Sequence, residues 1–407
     1  MTLDPDFIRA QFPALSDPIT ARTAFFENAG GSYPCKQVID RLTRFYRERK
    51  VQPYWAFDAS RAGGEEMDEA RTRLSAMLGV DEDELSFGPS TTQNVYVLAQ
   101  AFREWLEPGD AIIVTDQDHE ANSGAWRRLA EHGVEVREWR IDPETGALDP
   151  SDLANLLDGS VRLVAFPHCS NVVGQINDVA AITALAHEAG AAVCVDGVSY
   201  APHGLPDVGA LGCDIYLFSA YKTYGPHQGL MVVRRRLAEA LPNQAHHFNA
   251  GSLYKRFTPA GPDHAQIAAC AGMADYIDAL YSQLGTPPSE PRERAAAVHD
   301  AMRGREVALM RPLMDWLSGR NDIRLIGPRK PKGRAPTIAI HHERPGLDLA
   351  EQLASHAVAV GGGDFYAVRP LRAMGIDPEH GVLRMSLVHH NTEDEVERLI
   401  SALDAVL

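Results

Sequence analysis

Short continuous runs of apolar residues recur between residues 84 and 240 and alternate with stretches whose apolar residues follow a helical period. Unbroken apolar runs are typical of strands that are buried on both faces of a parallel sheet. The predicted strands are Glu84–Phe87, Ala111–Val114, Val134–Trp139, Val161–Phe166, Ala191–Val195, Ile215–Phe218 and Leu230–Val233. The predicted helices between them include Thr92–Trp105, Ser123–Glu131 and Val179–Ala189. This alternation predicts a large α/β domain with a mostly parallel sheet, in which the short final connection allows an antiparallel last strand.

The rest of the chain follows a different pattern. A helical period from Glu290 to Ser318 is unusually long for a globular domain and predicts a broken or bridging helix. It is followed by a predicted loop, short predicted strands and a closing amphipathic helix, namely Gly327–Pro336, Thr337–His341, Val358–Val360, Leu383–Val388 and Glu393–Val406. We therefore expect a large α/β domain at 25–289 and a smaller α+β domain at 290–407, with segment 1–24 packed against the smaller one.

Composition and charge exclude several classes of protein. The 407 residues carry a formal net charge of -16 without a long basic run, which argues against a nucleic-acid partner. No apolar stretch is long enough to predict a membrane span. The five cysteines are scattered and form no C-x-x-C pair. This pattern argues against disulfides and against a structural metal site, and it indicates a reducing cytoplasm. The adjacent His389 and His390 would point in opposite directions on a strand, so no metal site is predicted.

Lys222 and Asp196 both follow predicted strands. Lys222 is either a solvated surface charge or an amine that loses its proton easily at an apolar strand end and attacks an aldehyde. Asp196 either caps a helix, makes a buried ion pair or keeps the pyridine nitrogen of pyridoxal 5'-phosphate (PLP) protonated. Ligands of α/β proteins bind at the carboxyl ends of the parallel strands, and there both residues could face one ligand.

Two further segments also begin where predicted strands end. The ring of His119 is either a surface-loop side chain or a group that stacks on the cofactor and moves protons near neutral pH. The segment Gly88–Asn94 contains Ser90, Thr91 and Thr92 directly before a helix, where they are either ordinary N-caps or groups that hold a phosphate.

Taken together, these segments resemble the class V aminotransferase family of PLP-dependent enzymes, and most closely its cysteine desulfurase and selenocysteine lyase branch. The resemblance runs from about Phe25 to the C-terminus. The segments that carry it are Glu27–Gly31, Ser90–Thr92, Asp118–Asn122, Ser170–Gly174, Val195–Gly197, Ser219–Lys222, and Leu383–Leu387 with Asn391–Thr392. It implies the PLP-dependent transferase fold of type I, which is aspartate aminotransferase-like, with PLP as the cofactor.

The resemblance also implies a role for each matched residue. Lys222 would carry the cofactor as a Schiff base, and Asp196 would pair with its ring nitrogen. The other implied cofactor contacts are His119 stacked on the ring, Asn171 at the 3'-oxygen, and Thr91, Thr92, Ser219 and Tyr221 at the phosphate. Arg384, with Gly30 and Gly31 beside it, would bind the substrate carboxylate. His264 lies in a segment that would reach the phosphate of a partner subunit, which implies a homodimer with shared active sites.

Two departures from the desulfurase pattern bear on the reaction. Ser199 stands where desulfurases usually carry a glutamine, and the segment Val360–Arg369 has no cysteine where they carry the one that accepts sulfur. Asp364, Tyr366 and Arg369 there either shape substrate choice or are ordinary surface residues. We therefore expect β-elimination from a small α-amino acid, as in a C–S lyase, rather than desulfuration through a persulfide. Transamination and racemisation or epimerisation are the alternatives.

Overall fold

The computed structural model describes residues 3–259, 261–285, 287 and 289–407. Its strands are β1 (Ala24–Phe25), β2 (Leu85–Gly88), β3 (Ala111–Thr115), β4 (Glu135–Trp139), β5 (Val161–Pro167), β6 (Ala192–Asp196), β7 (Ile215–Ser219), β8 (Gly229–Val233), β9 (Arg324–Ile326), β10 (Thr337–His341), β11 (Val358–Ala359), β12 (Gly361–Gly363) and β13 (Val382–Ser386). Its α-helices are α1 (Pro5–Arg9), α2 (Lys36–Glu48), α3 (Asp58–Leu78), α4 (Thr91–Trp105), α5 (Gly124–Arg127), α6 (Pro150–Leu156), α7 (Val179–Glu188), α8 (Val208–Leu211), α9 (Arg235–Ala240), α10 (His264–Ala269), α11 (Ala271–Gln283), α12 (Pro291–Ser318), α13 (Gly346–Ser355), α14 (Val368–Ala373) and α15 (Glu393–Val406).

The large sheet has seven strands in the order β2-β8-β7-β6-β5-β3-β4. Strands β3 to β7 run parallel to their neighbours among themselves, and β8 runs antiparallel to both β7 and β2. Alternate residues of β3 enter different hydrophobic cores, with Ala111 and Ile113 on one face and Ile112 and Val114 on the other. The predicted strands and the antiparallel last strand are therefore confirmed. Burial on both faces accounts for the apolar runs of the inner strands, whereas the edge strand β4 contains charged residues and is mostly half-buried.

The predicted helix Ser123–Glu131 was wrong in its extent. The segment instead consists of the short helix α5 between two turns of 3-10 helix, at Glu120–Asn122 and Arg128–His132. Its buried Trp126 donates an indole hydrogen bond to Oδ1 of Asn122 at 3.2 Å. The Trp126 ring also packs edge-on against Phe102 of α4, with the ring centroids 5.4 Å apart, and such tertiary packing outweighs the intrinsic preference of the segment for one regular helix.

Helix α12 is continuous over 28 residues, although it contains Pro312. The expected break was therefore wrong, whereas the expected bridging role is confirmed. Val298 and Met302 belong to the core under the large sheet, and Leu309 and Leu313 belong to the core around the smaller sheet. Packing on both sides of the proline offsets the hydrogen bond that its missing N–H removes.

The C-terminal part contains an antiparallel sheet in the order β12-β13-β10-β9, and β1 pairs in parallel with β11.

The N-terminal segment contacts both parts of the chain. Arg9 forms an ion pair with Glu395 at 3.0 Å, and the ring of Phe12 packs edge-on against that of Tyr224. The domain boundaries before residues 25 and 290 stay predictions. In the described part of the chain no helix is both long and apolar enough to cross a membrane.

Candidate active site

A cavity of about 500 Å³ lies at the carboxyl ends of the parallel strands. Strand β6 ends with Asp196, and β7 ends with Ser219, after which one turn of 3-10 helix presents Lys222. Neighbouring parallel strands end at the same edge of a sheet, so these side chains meet at one place. The residues that line the cavity are Glu27, Ala29, Gly30, Ser90, Thr91, Thr92, Tyr96, His119, Glu120, Ala121, Pro167, Cys169, Asn171, Asp196, Val198, Ser199, Ser219, Tyr221, Lys222, Phe365, Tyr366 and Arg384.

Most of the predicted site residues line this cavity, but two do not. Gly31 lies beside Tyr221, where an added Cβ would be 3.8 Å from the tyrosine ring. His264 begins α10 and lines a separate depression together with Tyr54 and Phe248. His264 therefore lies apart from the cavity of its own chain, and its contact with a partner subunit stays a prediction.

One end of the cavity is suited to an anion. Helix α4 begins there at Thr91, and the first amides of a helix have no acceptor within the helix and attract negative charge. The Thr91 hydroxyl lies 2.9 Å from that of Ser219, so two hydroxyl groups converge at this end. Gly229 of β8 allows this approach, because a Cβ at that position would lie 2.4 Å from the backbone carbon of Ser90.

The amine of Lys222 is a buried group in the lining of the cavity. Burial, with a further contribution from the positive charge of Arg384, lowers the pKa of its amine to about 8. The negative charges of Asp196 and Glu27 act in the opposite direction. A substantial fraction of the amine is therefore neutral just above neutral pH, and the neutral form is the one that attacks a carbonyl carbon.

Asp196 supplies a buried carboxylate on the strand next to Lys222. Its Oδ1 atom accepts a hydrogen bond from the backbone N–H of Val198 at 2.8 Å, which holds the carboxylate in place. Burial raises the pKa of Asp196 to about 6, and the charge of Lys222 lowers it in part. A positively charged ring nitrogen beside this carboxylate would offset the cost of its burial.

His119 forms part of the wall of the cavity. Its Nδ1 atom accepts a hydrogen bond from the backbone N–H of Ala121 at 3.0 Å, so in the neutral ring the proton is on Nε2. Burial, followed by the charges of Lys222 and Arg384, lowers the pKa of the imidazole to about 4. The ring is therefore neutral at neutral pH, which suits a flat group that stacks on an aromatic ligand.

Arg384, in β13, is buried and already has a partner. Its Nη2 atom donates to Oε1 of Glu27 at 2.5 Å, and its Nη1 atom donates to the carbonyl oxygen of Asn171 at 3.3 Å. The Phe365 ring covers the guanidinium, with its centroid 3.8 Å from Cζ. Glu27 and Phe365 were not among the predicted site residues, although Glu27 opens one of the segments that carry the family resemblance.

The loop after β12 closes one side of the cavity. Phe365 and Tyr366 both have positive φ angles, 53° and 55°, which is uncommon for residues other than glycine. Their carbonyl oxygens accept hydrogen bonds from Nδ2 of Asn171 at 3.0 Å and from the backbone N–H of Glu120 at 2.9 Å. The loop is thus held against the opposite wall, and the aromatic residues of the loop face the cavity.

The residues of the cavity fit PLP. The start of α4 with its hydroxyl groups matches a phosphate, Asp196 matches a protonated ring nitrogen, and Lys222 matches an aldehyde. The buried Oδ1 atom of Asn171 has no hydrogen-bond partner within the described residues, so this side of the cavity still has an unused polar group.

We expect PLP capture by the apoenzyme to accelerate with pH from about 7 and to level off above about 9, because burial lowers the pKa of Lys222 to about 8. Asp196 titrates lower, at about 6, so the rise above pH 7 reports on the lysine. Rapid-mixing absorbance of the lysine-bound cofactor measures the rate, with free lysine in solution as the control. A rate that keeps rising beyond pH 10, as for an ordinary lysine, would contradict the assignment.

The fold and the cavity together define a PLP-dependent enzyme of fold type I. Residues 24–283 and 293–399 match the family model described as Aminotransferase class-V, and the chain therefore belongs to that family. The predicted family, fold class and cofactor are thus confirmed.

Curated relatives match over almost the full chain. An aminotransferase-like protein of Gibberella zeae is 34% identical over 98% of this chain and 98% of its own length. A cysteine desulfurase of Serratia proteamaculans is 30% identical over 100% of this chain and 99% of its own length.

Among solved structures, the S-sulfonic acid form of the cysteine desulfurase CsdA from Escherichia coli has a TM-score of 0.83 at 24% identity, covering 100% of this chain and 99% of that one. The apo cysteine desulfurase from Thermococcus onnurineus NA1 has a TM-score of 0.86 at 22% identity, covering 100% and 98%. At these identities the structural matches support the fold alone.

Proposed function

We propose that this enzyme catalyses β-elimination from a small α-amino acid, with direct release of the β-substituent. The observation that carries this proposal is the loop over the cavity, which presents Phe365 and Tyr366 and has no cysteine. Relatives named cysteine desulfurases suggest a substrate with sulfur at Cβ. Without a thiol on this loop to accept that sulfur, loss of the β-substituent as a leaving group is the simplest outcome.

The cysteines elsewhere in the chain support the same conclusion. All five are buried, and Cys169 is the one that lines the cavity in the described structure. Burial raises the pKa of the Cys169 thiol to about 12, so very little thiolate is present at neutral pH. Because the thiolate is the nucleophile in sulfur transfer, Cys169 is a poor substitute for a loop cysteine.

The proposed roles follow from the positions of the side chains. Bound PLP supplies an electron sink for the charge that develops at the substrate Cα. Lys222 holds the cofactor and then, as a neutral amine, removes the Cα proton. Asp196 keeps the ring nitrogen protonated, and His119 packs on the ring. Arg384 anchors the substrate carboxylate, which fixes the orientation of the Cα–H bond relative to Lys222.

Thr91, Thr92, Ser219 and Tyr221 are proposed to hold the phosphate, and Asn171 the 3'-oxygen. The converging hydroxyl groups at the start of α4 support the phosphate assignment. We also propose a homodimer, in which His264 approaches the phosphate of the partner subunit. Exposed aromatic residues near His264 support this arrangement, since Tyr54 and Phe248 line the same depression and both are more than half exposed.

Product analysis of the PLP-loaded enzyme tests the proposed reaction. Amino acids with a leaving group at Cβ, cysteine among them, should give pyruvate, ammonia and the released β-substituent. A keto acid together with the amine form of the cofactor would instead establish transamination, which the aminotransferase-like relative makes the second candidate. Loss of optical activity without a new product would establish racemisation. Either result would overturn the proposal.

Replacing all five cysteines with alanine or serine should leave the specific activity of the folded enzyme within a few-fold, because none of them serves as a sulfur acceptor. Mass spectrometry of the wild-type enzyme during turnover with cysteine should show no persulfide. Circular dichroism of the variant separates folding losses from catalytic losses, because the replaced side chains are buried. A near-stoichiometric persulfide on any cysteine would indicate a desulfurase.

A further inference from the structure

Arg384, the arginine proposed to bind the substrate carboxylate, is paired with a carboxylate of the protein itself. Oε1 of Glu27 lies 2.5 Å from Nη2 of Arg384, whose side chain is 3% exposed. Hydrogen bonds between two charged groups are about twice as strong as those between neutral groups. Glu27 therefore occupies part of the site at which a substrate carboxylate is expected to bind.

The surrounding backbone is shaped to hold the Glu27 carboxylate there. An added Cβ at Gly30 would lie 2.5 Å from Oε1, and one at Gly361 would lie 2.7 Å from Oε2. The Glu27 carboxylate therefore fits between the turn that contains Gly30 and strand β12, which begins at Gly361, because neither glycine has a side chain. The Glu27 backbone forms a bridge to Ser386, two residues beyond Arg384 in the same strand. This bridge holds the backbone of Glu27 next to the strand that carries Arg384, so the fold brings the two side chains together.

A second carboxylate at Arg384 would meet an unfavourable charge balance. The Glu27–Arg384 pair is formally neutral, and adding a substrate carboxylate would place two negative charges on one buried guanidinium. Oε2 of Glu27 is itself buried and has no hydrogen-bond partner among the described residues. Like charges in a buried site repel strongly, because the surroundings screen them less than water does. Nε of Arg384 is also buried and has no partner among the described residues, so the guanidinium keeps a free donor, but a carboxylate bound there would repel Glu27 and weaken its contact with the arginine.

We propose that Glu27 is a specificity-determining residue that competes with the substrate carboxylate for Arg384. This inference rests on the proposed role of Arg384 as the carboxylate anchor. It means that a ligand offering a single carboxylate binds weakly to the free enzyme, because its gain at Arg384 is offset by the loss of the internal pair.

Binding of propionate to the PLP-loaded enzyme tests the competition without any turnover. Propionate has a carboxylate but no amine, so it reports on the anion site alone. Glu27→Gln keeps the size of the side chain and removes its charge. Isothermal titration calorimetry should show that this variant binds propionate about 10-fold or more tightly than the wild-type enzyme, as expected for losing a competing charge-assisted hydrogen bond. Glu27→Asp, with a shorter reach, should give an intermediate gain.

Glu120→Gln is the matched control. Glu120 lines the same cavity, but its carboxylate lies 3.4 Å from Arg369 rather than against Arg384. Removing this charge should change propionate affinity by less than about 3-fold, because the side chain is more than half exposed and solvent screens it. A gain as large as that of Glu27→Gln would show a general charge effect and would overturn the inference.

Arg384→Gln separates this inference from the proposed role on which it rests. Loss of propionate binding in Arg384→Gln, with a gain in Glu27→Gln, supports both. Loss in Arg384→Gln with no gain in a folded Glu27→Gln variant rejects the competition alone. Unchanged binding in Arg384→Gln rejects the arginine as the anchor, and the competition with it. Thermal unfolding and the cofactor absorbance establish that each variant is folded and loaded.

Discussion

Replacing Lys222 with alanine should lower turnover by about 10⁴-fold or more and abolish covalent retention of PLP. The amine is proposed both to hold the cofactor and to remove the Cα proton, and general-base catalysis alone contributes about 10²- to 10⁴-fold. Its buried position, which lowers its pKa to about 8, makes it the reactive amine of the cavity. Borohydride reduction of the wild-type holoenzyme followed by peptide mapping should find the reduced cofactor on Lys222.

The exposed Lys330 provides the matched control for this experiment. Lys330→Ala should retain both the activity and the reduced label, because its side chain lies in a surface loop away from the cavity lining. A label on any lysine other than Lys222, or a Lys222→Ala variant that keeps most of its activity, would contradict the central assignment.

Replacing Asp196 with asparagine should slow removal of the Cα proton by about 10²- to 10³-fold while leaving most of the cofactor bound. Asparagine keeps the shape of the side chain but removes the charge that stabilises a protonated ring nitrogen, and loss of one such electrostatic contact typically costs a factor of this size. Exchange of the Cα hydrogen in deuterated water, followed by NMR, measures the step directly. Absorbance of the purified variant measures cofactor occupancy.

The exposed Asp315, in α12, serves as a control of equal charge change. Asp315→Asn should exchange the Cα hydrogen at the wild-type rate. An unchanged exchange rate in Asp196→Asn would show that Asp196 has a structural role and that another group faces the ring nitrogen.

Most of the large sheet could be predicted from the sequence because six of its strands, all except the edge strand β4, are buried almost throughout. Each of these six strands then needs a mostly apolar run, and the polar residues that follow two of the runs, Asp196 and Lys222, line the cavity. Asp196 and Lys222 were found in this way, since both follow runs of this kind. The order of the strands in the sheet was not predicted, because it depends on pairing between residues that are far apart in the chain.

Glu27 could not be identified as the partner of Arg384 from a local pattern. It lies at the start of the chain and Arg384 near its end, and they meet because Phe26 accepts a backbone hydrogen bond from Ser386 at 2.7 Å. The conformation of Phe365 and Tyr366 was missed for a related reason. Neither residue favours a positive φ angle, so contacts with the opposite wall of the cavity, rather than intrinsic preference, hold them there.

Helix α12 supplies side chains to two hydrophobic cores along one unbroken axis. If either core melts, the other loses the support of the same helix, so the two should unfold as one cooperative unit rather than in separate steps. A calorimetric trace with a single transition is the expected sign of this coupling. The helix also limits how far the two sheets can separate while both remain folded. Because one continuous helix packs in both cores, a movement of one sheet also moves the helix and with it the other sheet.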